Sequence, residues 1–250
     1  KTEWIDKRER KGLLYLHFTM DDNLSLTEEI KVRYQSLYAG VFYLRYIKGL
    51  WAVAEGLIYT MFSEECTYSS LASHIPNTAQ KMIAVDYGTT NPCVFLETWD
   101  DGKTIWVERE YRWDSRSEEA QRSGRSQKTD KEYADDMADF MGIRPEDQCT
   151  IIVDPSAASF IQELRSRGWV VKPADNEVLD GIRKVSTMLV SGRLKVNRRK
   201  CKGLCAEMQA YVWDDKAKDR GEEKPVKQKD HGPDALRYRI NALPAWRVGV

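Results

Sequence analysis

Residues 81–92 read K-M-I-A-V-D-Y-G-T-T-N-P. Met82, Ile83, Ala84 and Val85 make a short apolar run that stops at an acid, Asp86. Gly88, Thr89, Thr90, Asn91 and Pro92 then turn the chain, and residues 93–98 begin a second apolar stretch. The simplest structure for this pattern is a buried strand that ends in a carboxylate and folds back as a hairpin. Taken alone, an acid at a strand end is also an ordinary turn residue, so the flanking chain has to decide between the two.

Outward from this stretch the pattern continues. Residues 103–111 supply a third strand after a turn at Asp100, Asp101 and Gly102, which predicts an antiparallel meander. Residues 114–129 are polar and charged and read as a mobile loop. Residues 131–141 carry helical apolar spacing through Tyr133, Met137 and Phe140. Residues 149–153 form another buried strand, and it too ends in an acid, Asp154. Pro155 and Ser156 open a helix through Leu164, and a strand follows at 169–171. Strand, helix and strand across 150–171 imply parallel pairing. Residues 178–191 read as a helix, 194–196 as a short extended piece and 204–213 as a helix. Residues 214–229 are charged and poor in core residues and read as a loop or hairpin, expected to act as a flexible flap. Gly232, Pro233 and Asp234 open the last helix, with Ala235, Leu236, Tyr238, Ile240 and Leu243 behind them. The fold class is α/β, a mixed sheet flanked by helices.

Three acids share a property. Asp86 and Asp154 end strands, and Asp234 sits in the first turn of a helix. If the two strands are neighbours, Asp86 and Asp154 lie side by side at the sheet edge, and a helix packed on the sheet brings Asp234 to them. Crowded carboxylates repel one another and raise their own pKa values, a cost that a divalent cation removes. Oxygen donors with open water positions suit Mg²⁺ or Mn²⁺. Two such ions about 3.5–4 Å apart are an apparatus for phosphodiester hydrolysis. His231, three residues before Asp234, is placed to move a proton or meet a phosphate, or is simply a helix-entry residue. Asp230 supports the cluster or serves as a helix N-terminal anion.

Composition sets outer bounds. The 250 residues are 42% apolar and 31% charged with zero formal net charge, which gives no global argument for a polyanion partner. Five scattered cysteines, Cys66, Cys93, Cys149, Cys201 and Cys205, include no C-x-x-C pair and argue against zinc and for a reducing compartment. No apolar run approaches the roughly 20 residues that span a bilayer. Ahead of residue 81, residues 13–18 (L-L-Y-L-H-F) read as a strand. Ser25 to Glu28 reads as a capping box starting a helix to about Leu37. Residues 41–47 read as a second helix, 51–61 as extended and 64–80 as a linker. The chain opens in mid-pattern and reads as a fragment. Its divisions are an N-terminal α+β segment at 1–61, a linker at 62–80 and the main domain at 81–250.

The element order from 81 to 243 resembles the ribonuclease-H-like fold. More closely, I-A-V-D-Y-G-T-T-N-P, I-I-V-D-P-S-A and D-H-G-P-D-A-L-R-Y resemble the nuclease domain of the large terminase subunit of tailed bacteriophages. L-H-F-T-M-D-D-N and the residues after it resemble the end of that family's ATPase domain. The resemblance implies a nuclease that cuts concatemeric viral DNA as it is packaged into procapsids. Asp86, Asp154 and Asp234 would be its metal ligands for Mg²⁺ or Mn²⁺, and His231 an active-site helper. It implies double-stranded DNA, a small terminase subunit and a portal protein as partners, in the host cytoplasm and away from any membrane. The sequence holds no G-x-x-x-x-G-K-[ST] phosphate loop, so this piece alone is expected neither to bind ATP that way nor to translocate DNA.

Two other readings compete. V-D-Y-G-T-T-N-P also resembles the phosphate hairpin of the actin and heat-shock chaperone ATPases. That superfamily expects a second glycine-rich hairpin where this chain has Asp154, Pro155, Ser156 and Ala157. A non-catalytic DNA clamp would use the basic run Arg198, Arg199, Lys200 and Lys202, with Lys216, Lys218, Lys224, Lys227 and Lys229 further on, against the phosphate backbone. Carboxylates beside a polyanion make sense only with metal, which favours the nuclease.

Overall fold

The computed structural model describes residues 5–69, 75–122, 124, 127–142 and 149–248. In chain order the elements are α1 (Glu28–Ser36), α2 (Gly40–Tyr46), β1 (Thr67–Tyr68), β2 (Gln80–Asp86), β3 (Cys93–Asp100), β4 (Ile105–Trp113), α3 (Glu118–Arg122) and α4 (Asp130–Met141). There follow β5 (Thr150–Val153), α5 (Ala158–Ser166), β6 (Val170–Pro173), α6 (Val178–Val190), β7 (Leu194–Asn197), α7 (Lys202–Met208), α8 (Asp215–Asp219), α9 (His231–Asn241) and α10 (Ala245–Val248). The strands form one seven-stranded sheet in the order β1-β7-β4-β3-β2-β5-β6. The meander β2-β3-β4 is antiparallel, and β5, β6, β7 and β1 join it through parallel pairings. This is the α/β mixed sheet expected, with β5-α5-β6 as the parallel unit.

Alternation along the strands builds two cores. Ile83, Val85, Cys93, Phe95, Ile151 and Val153 face α4 and α5. Val94, Leu96, Ile105, Val107, Leu194 and Val196 face α6, α7 and α9. Asp86 pairs with Val94 across the β2–β3 ladder, and directly opposed residues share a face, so Asp86 points to the α9 side. Val85 pairs with Val153 in the parallel β2–β5 ladder. The next residues, Asp86 and Asp154, therefore stand side by side where the strands end. No helix among the described residues is long and apolar enough to cross a membrane.

Several expectations change. Residues 13–18 are not a strand: Leu14 is 79% exposed and Phe18 70%. Their apolar run is strand-like, but no described edge pairs with their backbone, and an unpaired strand has no ladder to hold it. Helix α1 is capped by Thr27 rather than Ser25, the Thr27 hydroxyl accepting the Ile30 N–H at 3.4 Å. The linker stretch supplies β1, which pairs parallel with β7; its residues 70–74 lie outside the described ones. Within 114–129 the chain forms α3, while residues 123, 125 and 126 lie outside the described ones. The helix of 155–164 starts only at Ala158, because Asp154 accepts the Ser156 N–H and makes a turn first. The helix of 204–213 ends at Met208, and Val212 and Trp213 make antiparallel bridges to Leu57 and Pro225. Residues 214–229 are anchored rather than loose. Ala217 and Pro225 are buried, Lys218 meets Glu55 at 2.5 Å, and Arg45 pairs with Glu223.

Candidate active site

Helix α9 is fixed before it presents any side chain to the sheet edge. Glu207 of α7 accepts the Gly232 N–H at 2.7 Å, and the Arg112 guanidinium of β4 grips the same carboxylate with two bonds of 2.7 and 2.8 Å. A Cβ on Gly232 would lie 2.8 Å from that carboxylate oxygen, so only glycine lets the helix start this close. Further along, buried Arg239 donates to Thr98 at 3.0 Å and pairs with Asp100 at 3.3 Å, both on β3.

With the helix so held, spacings of three and seven residues put His231, Asp234 and Tyr238 on one side. His231 Nδ1 lies 2.8 Å from Asp86 Oδ2. The Tyr238 hydroxyl donates to Asp154 Oδ2 at 2.7 Å, and the Ser156 N–H donates to Asp154 Oδ1 at 2.7 Å. Asp234 is 6% exposed. Its Oδ1 takes no hydrogen bond, although Arg237 Nη2 stands 3.0 Å away in an ion pair out of hydrogen-bond alignment. Asp86, Asp154, His231 and Asp234 line one cleft of about 700 Å³, with the turn at Thr89 to Asn91 on one rim and Lys227 on another.

The electrostatics follow from this crowding. Burial pushes the Asp86 carboxyl up to about 6; the His231 hydrogen bond opposes that, and the Asp234 charge adds to it. Burial works against the His231 imidazolium, but its bond to Asp86 and the charges of Asp86 and Asp230 win and raise its pKa. Burial and the neighbouring Asp234 raise Asp230. Asp154 goes the other way: burial opposes its ionisation, yet the bonds from Ser156 and Tyr238 hold it below the ordinary carboxylate value.

Among the described residues no group of three His, Cys, Asp or Glu side chains is assembled to hold a metal ion as the side chains stand. The donor set nevertheless suits a hard cation. The donors are carboxylate oxygens, one buried oxygen of Asp234 takes no hydrogen bond, and Asp86 and Asp230 are pushed toward protonation by burial and by a neighbouring acid. A divalent ion would relieve each of these.

The structure thus brings Asp86, Asp154, Asp234 and His231 to one cleft, and Asp230 is buried beside them as the residue preceding α9. It does not bring the basic run there. Arg198, Arg199, Lys200 and Lys202 follow β7, with Lys200 paired to buried Glu108 and Arg198 3.6 Å from Glu64. The cations on the cleft are Arg116, Lys227 and Lys229. Sequence reading passed over Glu207, Arg237 and Tyr238 as site residues, and it took Lys227 only as a phosphate contact. Tyr238 alone left a signal, its four-residue spacing from Asp234 on a helix already in hand.

A family-level comparison matches residues 83–243 to the terminase RNaseH-like domain. Among solved structures, the large terminase of the thermophilic bacteriophage D6E in complex with ATP-gamma-S is similar at 45% identity and a TM-score of 0.82. That match covers 96% of this chain and 59% of the D6E chain, so this chain spans well under two thirds of that relative. The nuclease domain of the P22 large terminase is similar at 17% identity and a TM-score of 0.58, over 74% of this chain and 91% of that one. The large terminase nuclease of the thermophilic phage G20c, solved with bound magnesium, follows at 11% and 0.56, over 76% and 98%. At these last two identities the likeness is one of fold. No curated protein sequence matches the chain.

Proposed function

The chain belongs to the terminase RNaseH-like domain family, and from that premise we propose that it is a metal-dependent endodeoxyribonuclease cutting concatemeric viral DNA during packaging. The observation that carries this reading is the pairing of Asp86 and Asp154 at adjacent strand ends, with Asp234 buried on the same cleft. Asp86, Asp154 and Asp234 would hold Mg²⁺ or Mn²⁺, two ions in the complete site. When bound, such ions supply a water nucleophile at neutral pH and neutralise charge on the departing oxygen. His231, whose contact with Asp86 favours its protonated form, is placed to donate a proton to the leaving 3′-oxygen or to bind the phosphate. Arg116 and Lys229 on the rims draw the DNA backbone into the cleft. In a full-length protein this piece would work beside an ATPase segment, a small terminase subunit and a portal, in the host cytoplasm.

Conversion of supercoiled plasmid to nicked and linear forms tests the reading. Wild type should cut with Mg²⁺ or Mn²⁺ and not with EDTA, and Asp154→Asn should fail in both metals. Metal-independent cutting, or an Asp154→Asn enzyme at wild-type rate, would overturn it.

Tyr238→Phe should leave the fold intact and loosen Asp154. Groups that orient a ligand carboxylate typically contribute about 10–100-fold to metal affinity or activity. The expected signature is a higher Mn²⁺ concentration for half-maximal cutting, with most of the rate recovered at saturation. A wild-type metal dependence would remove Tyr238 from this role.

A further inference from the structure

One cation on the cleft sits directly on the acids. Lys227 Nζ lies 3.3 Å from Asp234 Oδ2 and 3.6 Å from Asp230 Oδ2. Both acids are buried, at 6% and 5% exposure, while the lysine side chain is 68% exposed along the cleft. Arg237 meets the other Asp234 oxygen, Oδ1, and is itself 2% exposed. The Asp234 carboxylate therefore lies between a buried cation that cannot leave and an exposed one that can.

The backbone delivers this lysine by a short, braced route. Val212 bridges Leu57, Trp213 bridges Pro225, and Asp214 N–H and Val226 N–H bond to Lys224 and Val212 carbonyls at 2.8 and 2.9 Å. Lys227 follows directly. Gln228 N–H then bonds back to the Val226 carbonyl at 2.9 Å, and Lys229 takes φ of 54°, the one non-glycine positive φ among the described residues. A lysine in that conformation is uncommon. The turn brings the chain into Asp230 and α9, so the position of Lys227 is set from both ends and only its side chain is free to move.

We propose that Lys227 is a tethered counter-ion: in the metal-free protein its ammonium holds the place on Asp230 and Asp234 that a divalent ion takes on loading, and it swings into the cleft when that ion binds. The proposal rests on the metal-dependent reading above. A lysine suits the task because its single charge rides on a flexible stem, and an exposed ion pair is worth little enough to be exchanged. Without the lysine, Asp230 and Asp234, with only Arg237 against the second of them, would repel in every metal-free interval.

Mn²⁺ titration by calorimetry, without DNA, tests this on wild type, Lys227→Met and Lys227→Arg. Lys227→Met should bind Mn²⁺ roughly fivefold more tightly, the scale of an exposed ion pair removed, and Lys227→Arg should stay within about twofold of wild type, since it keeps the charge. In EDTA, Lys227→Met should melt below wild type, and saturating Mn²⁺ should close the gap. Equal or weaker Mn²⁺ binding by Lys227→Met overturns the proposal, including the case in which the variant loses only DNA retention and Lys227 serves a phosphate alone. If wild type binds no Mn²⁺ while Lys227→Met does, the counter-ion role is supported in its strongest form. If neither binds, the metal reading itself falls and the proposal with it. Binding by wild type with no gain in Lys227→Met removes the counter-ion alone.

Discussion

Asp86→Asn should abolish metal-dependent DNA cutting and at the same time make the metal-free protein more stable at pH 8. The first effect follows from removing the acid that is bonded to His231 and stands beside Asp154. Metal clamps supply several kcal/mol of transition-state stabilisation, so the loss should reach about a thousandfold or more. The second effect follows from the sign of the shift. Burial first, then the Asp234 charge, raise Asp86 to about 6 in the folded protein, above its ordinary 3.8. A raised carboxyl contributes stability that is complete below its unfolded pKa and is lost as pH rises through its folded one. His231, also raised, runs the same way, so both favour the metal-free fold more at pH 5.5 than at pH 8. For Asp86 the whole shift is worth at most about 3 kcal/mol, of which about 1 kcal/mol falls between pH 5.5 and pH 8. In EDTA the wild-type Tm should therefore rise on acidification from pH 8 to 5.5, and Asp86→Asn should show a flattened profile and a higher Tm at pH 8. The amide can still accept from His231, so folding is not at risk. A variant that cuts normally, or melts lower than wild type at pH 8, would remove Asp86 from the centre of the site.

Much of this arrangement is legible in the sequence because it depends on local patterns. An apolar run of four residues closed by an acid is a strand end, and two of them, at Asp86 and Asp154, need only a parallel register to become neighbours. Gly232 and Pro233 mark the helix that carries Asp234. What stayed hidden depends on partners distant in the chain. Lys227 reads as one of several lysines in a charged stretch, and nothing local says that it meets Asp234 while Lys218 meets Glu55. Arg198, Arg199, Lys200 and Lys202 read as a phosphate track, but they follow β7 away from the cleft, and buried Glu108 pairs with Lys200. Residues 13–18 fail as a strand for the converse reason: their pattern is right, and no described edge is there to receive it. The two bridges at Val212 and Trp213 shortened a helix whose own propensity gave no stop before Trp213.

Arg237→Ala should be the most destabilising single change near the site, and a second substitution should undo part of the damage. Arg237 is 2% exposed. Its Nη1 donates to the Asn176 and Glu177 carbonyls at 2.7 and 3.1 Å, tying α9 to the start of α6, and its Nη2 stands 3.0 Å from Asp234 Oδ1. The stem packs so closely on α6 that a Cβ on Gly181 would fall 2.3 Å from Arg237 Cγ. Truncation therefore leaves a cavity, the Asn176 carbonyl without its arginine donor, a Glu177 carbonyl with only Asn241 donating to it, and a buried carboxylate with only Lys227 against it. Breaking one side of a buried ion pair costs about 3–5 kcal/mol, which for a chain of this size is a fall in Tm of about 6–20 °C. The carboxylate's share of that loss is separable. Arg237→Ala with Asp234→Ala should melt above Arg237→Ala alone, because no buried charge is left unpaired. Saturating Mn²⁺ should raise the Tm of Arg237→Ala by more than that of wild type, since the ion replaces the missing positive charge. Thermal unfolding of the three proteins, with and without Mn²⁺, decides it. A double variant no more stable than Arg237→Ala would mean that the arginine acts through the α6 carbonyls and packing alone. In that case the charge balance at Asp234 would rest on Lys227.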